Sequence, residues 1–400
     1  MAIGNIDRGK EMDQRFNPTK TKYIKYVNPI LKALFRVRKK QKFSLDDVDR
    51  ILILDDSLIG DEVMNLVLYQ CIRRNLPNVK VTLVARPWLK DQLFEMDLID
   101  KFIEFDSRYV LETPMKWITN RKHIRYILKK INQCKYDLAI EPRGDLRFIF
   151  FMRFIKSLHK ASYTYMDVDY LLTDAISPSK EGLHEIDAKL YLLQQLGFEI
   201  SKEDAIPRLV ISSKQKILNN RFHKEKQLNG KILFGVHPGA SLDIKKYPYF
   251  PDVAEKVCRF FDSDEIVFLV FCGVNEEDIA EGVIDAVKHV GYKAILCKTG
   301  LNEYIGRVSL CDYMLCNDSG AGHLAAAYGI PVTAIFGPVN EKLYRPRGKN
   351  KTYTVSHTLD CKPCSQRDCH KKTRECIRNI TVDEVIETVG RMIARSEGQK

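Results

Sequence analysis

The stretch NDSGAGHLAAAYGIPVTAIFGP, residues 317–338, decides the fold. An apolar run ends at Cys316. An acid, a hydroxyl and glycines follow (Asp318, Ser319, Gly320, Gly322), and His323 opens an alanine-rich helical stretch. A second β-rich run, VTAIF, then stops at Gly337-Pro338. The pattern is strand, tight turn, helix, strand. Such a turn aims backbone N–H groups and the positive end of a helix at one point, which suits a phosphate or diphosphate. An α/β enzyme handling a nucleotide-linked substrate is expected. An ordinary βα connection looks the same, and the turn by itself does not separate the two.

The alternation continues in both directions. Upstream, strands are expected at residues 51–54, 81–85, 102–105 and 136–141, with helices at 62–74, 88–96 and 118–130. A long amphipathic helix at residues 183–196 ends at Gly197. A second series of strands follows at 232–236, 266–271, 294–296, 313–316 and 332–336. Strands alternating with helices mean βαβ units and parallel sheets. The chain therefore divides into a basic amphipathic segment (residues 1–43), a first Rossmann-like domain (44–205), a second (206–380) and a C-terminal helix (381–400), with the two domains joined near residues 199–213. Ligands of such sheets bind outside the carboxyl ends of the strands. The candidate loops are residues 55–61, 142–145, 237–246, 272–277 and 317–323.

With 400 residues, 45% hydrophobic and 29% charged, the chain can bury two sizeable cores. No apolar run approaches the roughly 20 residues of a membrane span, and the polar N-terminus does not resemble a secretory signal. Eleven cysteines, an odd number, are not a disulfide framework; seven are scattered and read as buried thiols in a reducing cytoplasm, and four cluster. The net charge of +12 is uneven: residues 1–42 hold 12 Lys and Arg against three acids. The remainder is nearly balanced, so nucleic acid is not an expected partner. Within the basic segment Tyr23, Tyr26, Val27, Ile30, Leu31, Leu34, Phe35 and Val37 recur at helical spacing. It suits the anionic face of an inner membrane, or a helix packed on the first domain.

Several side chains at the strand ends carry chemistry. Asp61 follows Gly60 after the first strand, where a carboxylate can accept a proton from an attacking hydroxyl or cap a helix. HPGASLDIKKYP, residues 237–248, offers Lys245 and Lys246 to a diphosphate leaving group, or to solvent. Glu276 and Glu277 follow the FLVFCG strand, where a carboxylate binds ribose hydroxyls or favours a helix N-terminus. Cys361, Cys364, Cys369 and Cys376 have the clustering of metal ligands, and four thiolates suit a structural zinc or iron; four free thiols are the alternative.

Four motifs in order, IGDEVMNLVL, HEIDAKLYLLQQLGF, HPGAS with KKYP, and the 317–338 block, resemble the heptosyltransferase family of inverting glycosyltransferases, glycosyltransferase family 9. The resemblance runs from about residue 48 onward and implies a GT-B fold, two doubly wound Rossmann-like domains facing a cleft. It implies an ADP-heptose-like donor, a glycan or glycolipid acceptor in lipopolysaccharide-type biosynthesis, and catalysis without a metal. By the same resemblance Asp61 is the general base and Lys245 or Lys246 lies at the donor phosphates. Ser319, Gly320 and the helix end at His323 cradle the diphosphate, Asp318 orders that turn, and Glu276 or Glu277 holds the ribose. Family members also carry a cysteine segment after FGP. One departure stands out. Asp55-Asp56-Ser57-Leu58 occupies the place of basic residues, and an acidic approach disfavours a phosphorylated acceptor. A nucleotide-sugar-binding protein without catalysis would share the second half of the chain and differ at Asp61, whereas a GT-B epimerase would release free sugar without an acceptor.

Overall fold

A computed structural model describes Lys32 and residues 43–165, 168–179, 182–362, 364 and 369–397. The basic segment expected at residues 1–43 therefore lies, but for Lys32 and Phe43, outside the described residues. The chain forms two compact units: Met1–Leu58 with Asn65–Ala205, and Ile59–Met64 with Ile206–Lys400.

In the first unit β1 (Arg50–Asp55) leads into α1 (Ile59–Asn75), β2 (Lys80–Ala85), α2 (Lys90–Glu95) and β3 (Lys101–Glu104). Three helices follow, α3 (Ser107–Val110), α4 (Pro114–Thr119) and α5 (Arg121–Ile131). Then come β4 (Tyr136–Glu141), α6 (Leu146–Phe151), β5 (Ser157–Tyr163), β6 (Asp174–Ile176) and α7 (Glu185–Gln195). RILILD and KVTLVA are buried at every position after the first, because a parallel strand covered on both faces is apolar throughout rather than alternating. The single helix expected over residues 118–130 is two. Thr113 caps the first by accepting from Lys116 N, Pro114 sits in its first turn, and Asn120 separates it from α5.

The second unit opens with α8 (Ser213–Glu225), whose Ser212 and Gln215 form a reciprocal capping box. It continues with β7 (Ile232–His237), α9 (Phe250–Val257), β8 (Ile266–Phe271), α10 (Glu277–His289), β9 (Lys293–Cys297) and α11 (Leu301–Val308). β10 (Tyr313–Asn317), α12 (Gly320–Ala327), β11 (Val332–Phe336), α13 (Glu341–Tyr344), β12 (Thr352–Ser356), α14 (Glu375–Arg378) and α15 (Val382–Glu397) complete it. α12 begins at Gly320, three residues before the expected opening at His323.

The strand orders are β3-β2-β1-β4-β5-β6 and β12-β11-β10-β7-β8-β9, parallel throughout. Each order reverses beside its first strand. Ligands of doubly wound sheets bind at that switch, outside the carboxyl ends of the two diverging strands. In the first unit these are β1 and β4, followed by DDSLIGD and the turn PRGD. In the second they are β7 and β10, followed by PGAS and DSGAGH.

Gly235, in the middle of β7, has no room for a side chain: a Cβ would lie 2.7 Å from Cys311 Sγ and 2.8 Å from Met314 Cε. Gly235→Val should lower stability in urea denaturation by about 1–3 kcal/mol through overpacking.

Candidate active site

The candidate site lies within the second unit, Ile59–Met64 with Ile206–Lys400. Asn317 ends β10 fully buried. Its Oδ1 accepts from Tyr247 N at 3.1 Å, and its Nδ2 donates to Pro238 O at 2.7 Å and Gly239 O at 3.3 Å. One side chain thus ties the turn after β7 to the end of β10. Asp318 then donates its N–H to Ile335 O, which fixes the turn on β11. Ser319 is the N-cap of α12 by its extended backbone, yet its hydroxyl does not cap the helix and lies 3.5 Å from His237 Nδ1. The first-turn N–H groups of α12 therefore keep no side-chain cap and remain suited to an anion.

The two lysines separate. Lys245 Nζ lies 2.7 Å from Asp318 Oδ2, at the turn. Lys246, about as buried as Lys245, pairs instead with Asp243 at 2.8 Å and not with Asp318. The two glutamates separate likewise. Glu276 accepts from Gly273 N at 2.8 Å and stands 4.0 Å from His237 Nε2, over Gly239, where any Cβ would overlap its carboxylate. Glu277 pairs with Lys298 at 2.8 Å and begins α10. Burial lowers the pKa of His237, with the charge of Glu276 opposing.

Asp61 is the third residue of α1. The N-cap is Leu58, so Asp61 is not the cap; it is an acid of the first turn. That turn, Ile59–Met64, belongs to the second unit. A Cβ on Gly60 would lie 3.2 Å from His323 Cδ2, and one on Gly320 would lie 2.5 Å from Ile59 Cγ2. Glycine at both positions permits this approach. Burial lowers the pKa of His323, while the charges of Asp318 and Asp61 raise it. Asp61, Lys245, Asp318, Ser319, Gly320 and His323 are thus one cluster, with Glu276 and His237 beside Ser319. Asn317 and His237 were not picked out from the sequence. A polar residue closing an apolar strand at a switch point was the available signal.

In the first unit the strand ends are held by carboxylates. Glu141 accepts from the N–H groups of Arg143, Gly144 and Asp145 (3.1, 2.6 and 3.0 Å) and from Ser162 Oγ at 2.7 Å. Burial and the charge of Asp145 push its carboxyl up to about 7, against Ser162, Arg143 and Lys189. Lys189 of the HEIDAK helix is buried and donates to Pro142 O and Glu185, so this motif braces the same turn. The acidic approach expected from Asp55 and Asp56 is corrected by their burial. Asp55 accepts from Ser57, Asn65 and Tyr69, and Asp56 pairs with Arg86 at 2.7 Å and with Ser107. Both carboxylates are buried and bonded to neighbours, Asp56 alone to a cation, and Arg143 Nη1 lies 3.4 Å from Ser57 Oγ at the same edge.

Cys361, Cys364, Cys369 and Cys376 line one small pocket with Lys362, His370 and Arg374. The backbone N–H groups of Arg374, Lys371, Lys372 and Thr373 hold the Cys369 thiol below its ordinary pKa. Left-handed φ values at Lys372 (58°) and Arg374 (53°) let these amides converge. Among the described residues no three His, Cys, Asp or Glu side chains are arranged as a closed metal-ligand set.

Two parallel doubly wound sheets, one with an uncapped helix start at its switch point, define the α/β class of the fold. The sequence profile of glycosyltransferase family 9 (heptosyltransferase) matches residues 124–374, and the chain belongs to that family and is a glycosyltransferase. It is similar to lipooligosaccharide heptosyltransferase 2 of Haemophilus influenzae, 26% identical over 86% of this chain and 99% of that one. Two solved structures share its GT-B fold. One is the family 9 glycosyltransferase of Veillonella parvula, with a TM-score of 0.73 at 19% identity over 89% of this chain and 100% of that one. The other is ADP-heptose lipopolysaccharide heptosyltransferase II of Escherichia coli, with a TM-score of 0.67 at 18% identity over 87% and 99%. The iron-containing dodecameric glycosyltransferase TibC of enterotoxigenic E. coli aligns at a TM-score of 0.50 and 12% identity over 87% and 77%.

Asn317→Ala should cost at least about 2 kcal/mol of stability, because Tyr247 N–H and Pro238 O lose a buried partner. ADP affinity measured by calorimetry should fall with it, since the turn after β7 is released from β10.

Proposed function

We propose that this enzyme transfers heptose, with inversion, from ADP-heptose to a hydroxyl of a lipopolysaccharide-type acceptor. The likeness to a lipooligosaccharide heptosyltransferase along 99% of that relative's length supports the donor and the acceptor class. The observation that carries the proposal is the cluster at α12: Lys245, Asp318 and the uncapped first turn, with Asp61 in electrostatic reach of the buried His323.

In this scheme Asp61 takes the proton of the acceptor hydroxyl as its oxygen attacks the anomeric carbon. The C–O bond to the diphosphate breaks on the opposite face, which inverts the configuration. The first-turn amides of α12, the Ser319 hydroxyl and Lys245 bind the leaving diphosphate, supplying in place of a metal ion the positive field that stabilises it. Glu276, fixed by Gly273, receives the ribose hydroxyls; Lys246 and Glu277 take no part. A phosphorylated acceptor is compatible with the first unit, because Asp55 is buried and hydrogen-bonded and Asp56 is paired with Arg86. Among the described residues no helix is long and apolar enough to cross a membrane. The basic residues 1–42 would hold the enzyme on the anionic cytoplasmic face of the inner membrane.

The four cysteines are proposed to hold one structural zinc or iron, as all four line one pocket and TibC, which shares the fold, is iron-containing. Four protein ligands leave no open position, so the metal would staple the segment after β11 and take no part in transfer.

Asp61→Asn should abolish transfer, measured as ADP release in the presence of acceptor, while ADP affinity stays within about twofold of wild type. Substantial residual turnover would reduce Asp61 to a first-turn acid, and unaltered ADP binding without turnover in the wild type would favour a binding protein. Elemental analysis of protein prepared without added metal should find about one equivalent of zinc plus iron per chain. Less than about a tenth of an equivalent would remove the site.

A further inference from the structure

In the first unit α4 and α5 present a surface that the catalytic scheme does not use. α5 spends its apolar face on the core: Ile124, Ile127 and Ile131 are buried. Its outer face carries Arg121, Lys122, Arg125, Lys129 and Lys130, all exposed. α4 does the opposite. Met115 and Ile118, one turn apart on one helix face, are 67% and 59% exposed. Trp117 lies beside them, half-buried, with ring centroids 5.4 Å from Phe150 and 6.3 Å from Phe154. Phe154 is itself 46% exposed, and Tyr126 of α5 is 53% exposed. Asn132 fastens the end of α5 to this group by donating to Phe154 O and accepting from Lys156 N.

The charge around these side chains has one sign. Between Glu112 and Asp137 the chain carries seven Lys and Arg and no Asp or Glu. Arg153 and Lys156 add two exposed cations next to Phe154. Lys116 is paired with Glu112 and does not add to the field. Apolar and aromatic tips standing among unpaired-sign cations are costly in water unless something covers them, and a partner of opposite charge with an apolar interior is complementary to both features. α6 starts at the carboxyl edge of the sheet, capped by Asp145 of the turn after β4, and Ser107, the first residue of α3, reaches Asp56 at the end of β1. α6 is only six residues, roughly 9 Å, long.

We propose that Met115, Ile118, Trp117 and Phe154, ringed by the cations of α5, insert into the surface of an anionic phospholipid bilayer and seat the first unit on it. The apolar side chains enter the headgroup–acyl boundary, and Arg121, Arg125 and Lys129 contact lipid phosphates. The purpose of the surface, though not its existence, rests on the lipid-linked acceptor proposed above: it would hold the first unit at the bilayer that carries that acceptor.

The test uses the full chain, with residues 1–42 in place, and acceptor-free vesicles of phosphatidylglycerol mixed with phosphatidylcholine, against phosphatidylcholine alone. Cosedimentation should show wild type bound to the anionic vesicles and weakened by salt. Met115→Glu with Ile118→Glu should reduce the partition coefficient by about tenfold or more, since two exposed apolar contacts become two repelled charges. Arg121→Glu with Arg125→Glu should do the same at low salt and less at high salt. Both variants should melt and bind ADP as wild type does, which separates lost docking from lost folding. Wild-type indifference to anionic vesicles, or unchanged binding by both variants, overturns the proposal. So does a concentration-dependent dimer of the wild type that Met115→Glu with Ile118→Glu abolishes, because a second copy then covers the face. Transfer activity enters none of these readouts, so a failure of the heptose reading leaves the result standing, and the converse.

Discussion

Everything at the active site depends on Asn317, a buried amide between two diverging strands. At a switch point β7 and β10 are neighbours whose following helices lie on opposite faces of the sheet, so the turns after them separate and leave polar backbone without ladder partners. Asn317 supplies those partners from one side chain, accepting from Tyr247 N and donating to Pro238 O and Gly239 O. With the turn after β7 fixed, Lys245 is delivered to Asp318 and Gly239 is placed under the Glu276 carboxylate. An apolar residue at 317 would pack as well against the core and leave three buried polar groups unpaired, which is the costlier loss.

The first unit solves the same problem with carboxylates. Glu141 gathers three successive N–H groups after β4, and Asp55 accepts from Ser57 N after β1. Strand-terminal polar residues in both sheets thus shape the loops and are themselves consumed in doing so. The side chains left to meet substrate are the next ones along: Asp61 after Asp55, Asp318 and Ser319 after Asn317, Glu276 after Cys272. The cysteine pocket extends this order. It lies just past β11, with Pro338 and Ile244 in its wall, and so buttresses the turn that carries Lys245 from outside the sheet.

The alternation of strands and helices was legible because parallel strands buried on both faces are continuous apolar runs. β5, β6 and β12 were not, for the opposite reason. SLHKASY and TYTVS have mixed polarity, since these strands lie toward sheet edges, and DAI is too short to show a pattern. Glycine and acid at 317–323 exposed the anion turn, but the start of α12 at Gly320 rather than His323 needed backbone geometry. Which of Lys245 and Lys246, or of Glu276 and Glu277, faces the turn is a matter of one residue of rotation, and adjacent like charges carry no signal for it. The buried fate of Asp55 and Asp56 was hidden because their partners Asn65, Tyr69, Arg86 and Ser107 are 10 to 51 residues away in sequence.

The central claim is that the diphosphate of the donor sits on the first turn of α12 with Lys245 at its side. A crystal structure of the enzyme with ADP tests it most directly. The β-phosphate should accept from the N–H groups at Gly320 and its neighbours and from Lys245 Nζ, with the ribose hydroxyls on Glu276. A diphosphate found away from α12, or ribose held by Glu277, would contradict the account.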